Sequence, residues 1–222
     1  MDKKLFQASL AELIGTFTLV FVGALAVIVT GSPANNANVL IPAFGHGLAL
    51  VGIVYMFGHI SGAHVNPAVT AGLLVGGKIK PAAAVAYWIA QFIGGIIAAY
   101  LVVALVPDPV NYGQTTGTIT ADSVWTAAAL EAVLTFFLVG VVYQAAVYGK
   151  AGSLAGVAIG LTLAFCIIAG GVYTGASLNP ARTLGPALAA GDLSYVLPYF
   201  VGAFAGGGAA GLLHTFIFKP ES

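Results

Sequence analysis

Apolar residues run in long blocks along this chain. Six of them, at about 5–30, 38–58, 82–106, 124–147, 153–171 and 194–218, are each near or above the ~20 residues that cross ~30 Å of hydrocarbon. Each predicts a membrane-spanning helix. The first is too long and too uninterrupted for a cleavable leader. Two shorter apolar segments, Pro67 to Val75 and Pro180 to Ala190, are helix-compatible and end at Gly76-Gly77 and at Gly191. About ten residues at 1.5 Å each give ~15 Å, half the hydrocarbon thickness. These two segments are therefore expected to reach the midplane and stop.

Both short segments follow the same tripeptide, Asn66-Pro67-Ala68 and Asn179-Pro180-Ala181. The strings Ser61 to Thr70 (SGAHVNPAVT) and Thr174 to Thr183 (TGASLNPART) agree at six of ten positions. Upstream, Ala11-Glu12-Leu13-Ile14-Gly15-Thr16-Phe17 opens one half and Leu130-Glu131-Ala132-Val133-Leu134-Thr135-Phe136 the other. The chain thus reads as one domain, 1–222, duplicated as halves of about 1–106 and 124–222. Each half carries an odd number of spans, so the second enters the bilayer upside down relative to the first. Such inverted repeats are common among transport proteins. The fold class is an all-α membrane protein with six transmembrane helices and two re-entrant half-helices in an inverted repeat.

Composition agrees: 59% of residues are hydrophobic and 6% charged, against roughly a quarter charged in soluble domains. Lys3, Lys4, Lys78, Lys80, Lys150 and Lys219 fall on one side of a six-span layout, and Asp108, Asp122 and Asp192 on the other. The positive-inside rule then places both termini in the cytoplasm. A net charge of zero with one arginine leaves no basic face for nucleic acid. The single cysteine, Cys166, excludes internal disulfides and cysteine metal clusters. No cofactor and no metal is expected.

Asparagine is a favoured N-cap and proline a favoured first helical residue, so both motifs read as helix beginnings, inverted and meeting head to head. Non-helical backbone at membrane depth needs burial in protein or a wet cavity. Gly62-Ala63-His64 and Gly175-Ala176-Ser177 would supply such backbone, with carbonyls lining a path. A turn outside the membrane is the ordinary meaning of a single Asn-Pro. Duplication with half-membrane lengths argues against it here.

With these half-helices, six spans in inverted halves and a glutamate near the start of spans one and four, the chain resembles the aquaporins, the major intrinsic protein family. HISGAHVNPAVT and TGASLNPARTLGPAL match the family pattern over many consecutive positions, and the resemblance covers nearly the whole length. It implies the aquaporin fold and a homotetramer in membrane lipid, each subunit with its own pore for water or small neutral solutes.

Within that resemblance Asn66 and Asn179 would donate amide N–H groups to passing water, with Pro67, Ala68, Pro180 and Ala181 completing the two motifs. A lone arginine one turn into the membrane must face a cavity or a partner, so Arg182 is expected at the constriction. Alignment on the motifs adds His46, Ile167 and Ala176. This quartet is similar to the filter of plant tonoplast-type aquaporins, associated with water and often with ammonia, urea or hydrogen peroxide. Thr183 and Ala187 stand where glycerol-conducting relatives carry Asp and a basic residue, and Tyr199-Phe200 is an aromatic pair typical of the water group.

Glu12 and Glu131 are expected to hold the re-entrant loops, whose backbone N–H groups need acceptors. His59 and His64 would shape the first loop, and His214 would be interfacial. Cys166 would point about 100° away from Ile167. Gly156/Gly160, Gly202/Gly206 and Gly207/Gly211 have the spacing for close helix packing.

The expected function is a passive channel for water, with ammonia, urea or hydrogen peroxide as further solutes, that excludes protons and ions. Its rivals are a channel for another neutral solute such as glycerol and a secondary transporter, for which coupling carboxylates are hard to find. No nucleophile with its base suggests an enzyme. The short termini suit the cytoplasmic membrane of a microbe, and the short Tyr148 to Ser153 link suits an open channel.

Overall fold

The computed structural model describes residues 2–31 and 38–221. Eight α-helices carry the fold among these residues: α1 Lys3–Val29, α2 Leu40–Ser61, α3 Pro67–Val75, α4 Pro81–Leu105, α5 Val124–Val142, α6 Ala155–Thr174, α7 Pro180–Ala190 and α8 Val196–Phe216. Six are long and apolar enough to cross a membrane, α5 continuing through a widened turn at Tyr143–Val147. The short pair, α3 and α7, have the bounds the sequence predicts.

Spans two and five run further than expected, to Ser61 and Thr174. The polar residues His59, Ser61 and Thr174 resemble a loop in sequence. The helices stop only where Gly62 and Gly175 adopt positive φ, 88° and 81°, and return their N–H to Gly58 and Gly171 carbonyls. Glycine occupies left-handed backbone at little cost, which makes it a natural helix terminator.

The inverted repeat is visible in the packing. α1 lies on α4 as α5 lies on α8, and the half-helices exchange halves, α7 on α4 and α3 on α8. Missing side chains set these distances. A Cβ on Gly95 would stand 2.7 Å from the Ala181 carbonyl, and one on Gly207 2.6 Å from the Ala68 carbonyl. Gly94 abuts the Leu13 carbonyl and Gly206 that of Ala132. At the centre, α2 and α6 cross where Gly47 and Gly160 each face the other's carbonyl. Without a hydrophobic drive between helices in lipid, such close backbone approach is a main source of association.

The linker between α4 and α5 does not stay outside. Gly117 lies against the backbone of Tyr173 and Thr174, and Thr118 and Ile119 donate N–H to the Val172 and Tyr173 carbonyls at 2.9 and 3.0 Å. Beyond α7, the Ser194 hydroxyl and N–H bond Asp192 at 2.6 and 3.0 Å and hold its carboxyl below the usual range. That end of the helix bundle therefore keeps a negative charge.

Candidate functional site

The half-helices meet at their N-termini through their capping asparagines. Asn66 Oδ1 accepts from Ala68 N at 2.8 Å, and Asn179 Oδ1 from Ala181 N and Arg182 N at 3.0 and 3.3 Å. Each amide nitrogen then crosses to the opposite loop: Asn66 Nδ2 donates to Leu178 O at 2.8 Å and Asn179 Nδ2 to Val65 O at 2.9 Å. One N–H of each amide is a latch. The second N–H remains, and both asparagines border the inner cavity. Pro67 and Pro180 occupy first helical positions, and Ala68 and Ala181 are fully buried.

Each loop hangs on its half's glutamate. Glu12 Oε1 accepts from Ser61 Oγ and His64 N at 2.7 and 2.9 Å, and Oε2 from Val65 N and Gln91 Nε2 at 2.6 and 2.8 Å. Glu131 Oε1 accepts from Thr174 Oγ1 and Ser177 N at 2.7 and 3.0 Å, and Oε2 from Leu178 N at 2.7 Å. Both carboxylates are fully buried, so these donors replace the water each would otherwise demand. The same contacts hold unusual backbone. Ala63, Val65, Ala176 and Leu178 all have positive φ, from 43° to 54°, a conformation that branched residues avoid. Such strain persists where surrounding bonds over-determine it, typically at functional sites.

The constriction is a side-chain pair. Arg182 Nε donates to His46 Nε2 at 3.0 Å, and His46 Nδ1 faces the Pro42 carbonyl at 2.7 Å. An arginine nitrogen is always a donor, so His46 carries its proton on Nδ1. Arg182 Nη1 is buried without a partner among the described residues. On the inner side lies a cavity of about 520 Å³, which reaches from Lys78 and Gly149 past both asparagines to His46 and Arg182. On the outer side a space of about 20 Å³ is bordered by His46, Ile167, Gly175 and Gln114. His46 borders both.

Other expected site residues sort by place. Gly62, Ala63, His64 and Ser177 line the inner cavity and Gly175 the outer space. Ala176 is buried and borders neither. His64 packs edge-on to Tyr87 and reaches Thr70 Oγ1 at 3.1 Å. Cys166 is buried with Sγ 3.7 Å from the Leu134 carbonyl, toward α5. His214 is more than an interfacial residue: Gln144 Nε2 bonds its Nδ1 at 2.9 Å and its ring stacks on Tyr143. Among the described residues no group of three His, Cys, Asp or Glu gathers to hold a metal.

The sequence reading missed Gln114, Thr115 and Tyr195. Gln114 borders the outer space, and the Gln114 Oε1, Thr115 Oγ1 and Tyr195 hydroxyl oxygens are buried without partners among the described residues. The available signal was the glycine-bounded polar run Gly113-Gln114-Thr115-Thr116-Gly117.

The chain is 41% identical over 222 residues to "Aquaporin TIP1-1" of Zea mays, covering 96% of this chain and 87% of that protein. It is 40% identical over 232 residues to "Aquaporin TIP2-1" of Arabidopsis thaliana, covering 97% and 89%. The X-ray structure of the aquaglyceroporin from Plasmodium falciparum superposes with a TM-score of 0.80 at 23% identity, covering 97% of this chain and 98% of that one. That likeness gives the fold: six spans and two half-helices in an inverted repeat. The family model "Major intrinsic protein" matches residues 1–214, and the chain belongs to the major intrinsic protein family.

Proposed function

We propose that the protein is a passive channel that conducts water and excludes protons and ions, one pore to each subunit of a homotetramer in membrane lipid. In this reading the whole chain is one channel domain of two inverted repeats, about 1–106 and 124–222. The observation that carries it is the junction: two helix N-termini head to head, with paired asparagines beside a cavity that ends at Arg182. A water oxygen there would accept from Asn66 and Asn179. Its own hydrogens would then point away on both sides, so it could not relay a proton. Each helix N-terminus carries roughly half a positive charge; at ~4 Å and an effective dielectric of ~20 it repels a monovalent cation by about 2 kcal/mol. Arg182 adds a full charge at the constriction, and neutral water is indifferent to both.

His46, Ile167, Ala176 and Arg182 form the proposed filter, with Ile167 an apolar wall and the Arg182 guanidinium a donor for the permeant. The carbonyls of residues 62–64, 175 and 177 would line the path, and Glu12 and Glu131 would support the loops. The apolar wall and small Ala176 favour ammonia, urea or hydrogen peroxide as further solutes. Thr183, Ala187 and the Tyr199-Phe200 pair favour water over glycerol. The aquaporin names of the relatives support the same reading.

Both termini face the cytoplasm in this orientation, on the lysine side. The relatives named above are plant proteins and lend no support to the microbial membrane expected from the short termini.

Stopped-flow light scattering on liposomes carrying the pure protein tests the proposal. Shrinkage well above that of empty vesicles is expected, with no matching proton leak. Folded protein without acceleration removes water as the permeant, and glycerol crossing as fast as water overturns the solute order.

A further inference from the structure

Lys78 closes the turn that ends α3, as Asp192 closes the turn that ends α7. Lys78 N donates to the Leu73 carbonyl at 2.8 Å and Asp192 N to the Ala187 carbonyl at 3.0 Å. The half-helices thus finish alike and carry opposite charges at the same place. Asp192 is engaged by Ser194 and borders neither channel cavity. Lys78 borders the inner one.

The Lys78 ammonium is also held in place. Nζ lies 5.3 Å from the centroid of the Tyr148 ring, within cation–π range. Tyr148 is fixed in turn, its hydroxyl donating to the His214 carbonyl at 2.7 Å and its ring tilted against Tyr143. Lys3, Lys4, Lys80, Lys150 and Lys219 do not border the cavity, and among the described residues no aspartate or glutamate does. Much of the wall is apolar, with Leu50, Val54, Leu73, Val142, Ile159 and Leu163. A cleft of one charge sign with low-dielectric walls focuses the field and changes local ion concentrations by about tenfold or more.

We propose that Lys78 is a charge-selecting residue at the inner mouth, which concentrates small anions in the inner cavity and turns cations back before they reach the paired asparagines. A weak base such as ammonia then enters from that side uncharged. Arg182 repeats the selection at the far end of the same cavity. The proposal rests on the reading of this cavity as the inner half of a channel.

Charged thiol reagents test it. Val142 borders the inner cavity and is otherwise buried, and Cys166, the single native thiol, is buried. In the Val142→Cys protein in detergent, mass spectrometry gives the modification rates by sulfonatoethyl, trimethylammonioethyl and hydroxyethyl methanethiosulfonate. Their negative, positive and neutral heads probe one thiol. The anionic-to-cationic rate ratio is expected to fall about tenfold on adding Lys78→Gln and to be kept by Lys78→Arg, with the neutral rate constant throughout. An unchanged ratio in Lys78→Gln overturns the proposal, and so does a matching change in the neutral rate, the mark of a purely structural role. No reaction with the neutral reagent overturns the channel reading itself, and the proposal falls with it.

Discussion

In the first re-entrant loop Glu12 receives backbone N–H from His64 and Val65, Tyr87 donates to the Ser61 carbonyl, and Thr70 returns its hydroxyl to Asn66. In the second, Glu131 receives N–H from Ser177 and Leu178, Tyr199 donates to Thr174, and Thr183 returns its hydroxyl to Asn179. These bonds match between the frames, while Gln91 adds a donor at Glu12 that has no counterpart at Glu131 among the described residues. The register that pairs Asn66 with Asn179 and Gly47 with Gly160 also pairs the proposed filter with a counterpart. Against His46, Ile167, Ala176 and Arg182 stand Ile159, Val54, Ala63 and Val69. All four counterparts line the inner cavity, and all are apolar. Residues repeated in both halves thus hold the fold, while those that break the repeat supply the candidate selectivity, at the outer end alone.

The most severe way to break the comparison is to give the second half the residue of the first. Arg182→Val removes the charge at the constriction. A proton or cation leak about a hundredfold above the parent is expected, with water flux within a few-fold, read with an entrapped pH dye and light scattering. An unchanged leak would assign ion exclusion to the helix ends alone.

The reverse exchange is costly for stability. Val69→Arg places an unpartnered guanidinium in a buried site and should cost about 3 kcal/mol. Adding Ile159→His rebuilds the pair seen outside and should restore about 1–2 kcal/mol. Thermal unfolding in detergent measures both; no recovery would mean that the halves are not interchangeable at this level.

Glu12→Gln and Glu131→Gln should each cost about 2 kcal/mol, because an amide turns donors toward backbone N–H groups that need an acceptor. Similar losses in the two halves are expected from the same unfolding assay. Altered conduction at full stability would point instead to a carboxylate in the path.

His46→Phe has the smallest expected effect. It removes the acceptor for Arg182 Nε and fills space beside Ile167, so urea flux relative to water should fall about tenfold. An unchanged ratio would remove His46 from the filter.

Much of this was legible in the chain. The half-helices were recognisable because capping is local: Asn-Pro marks a start and glycine a stop within a few residues. The glutamates were recognisable because a carboxylate in a span must find donors. The His46–Arg182 bond joins residues far apart in sequence, and the resemblance placed both at one constriction without stating that one holds the other. Gln114 and Thr115 had no signal of that kind. A polar linker reads as solvent-exposed until its backbone is seen bonded to α6.

Hydropathy, duplication and capping chemistry settle the number of spans, their inversion and the length of the half-helices, because each follows from residues near in sequence set against a solvent of fixed thickness. Packing decided the rest. Close glycine contacts brought the halves together, each asparagine gave one N–H to the opposite loop, and the linker docked on the end of α6 and brought Gln114 to the small space beside His46. Such features depend on which distant groups meet in a crowded interior, where one missing Cβ or one carbonyl settles the geometry.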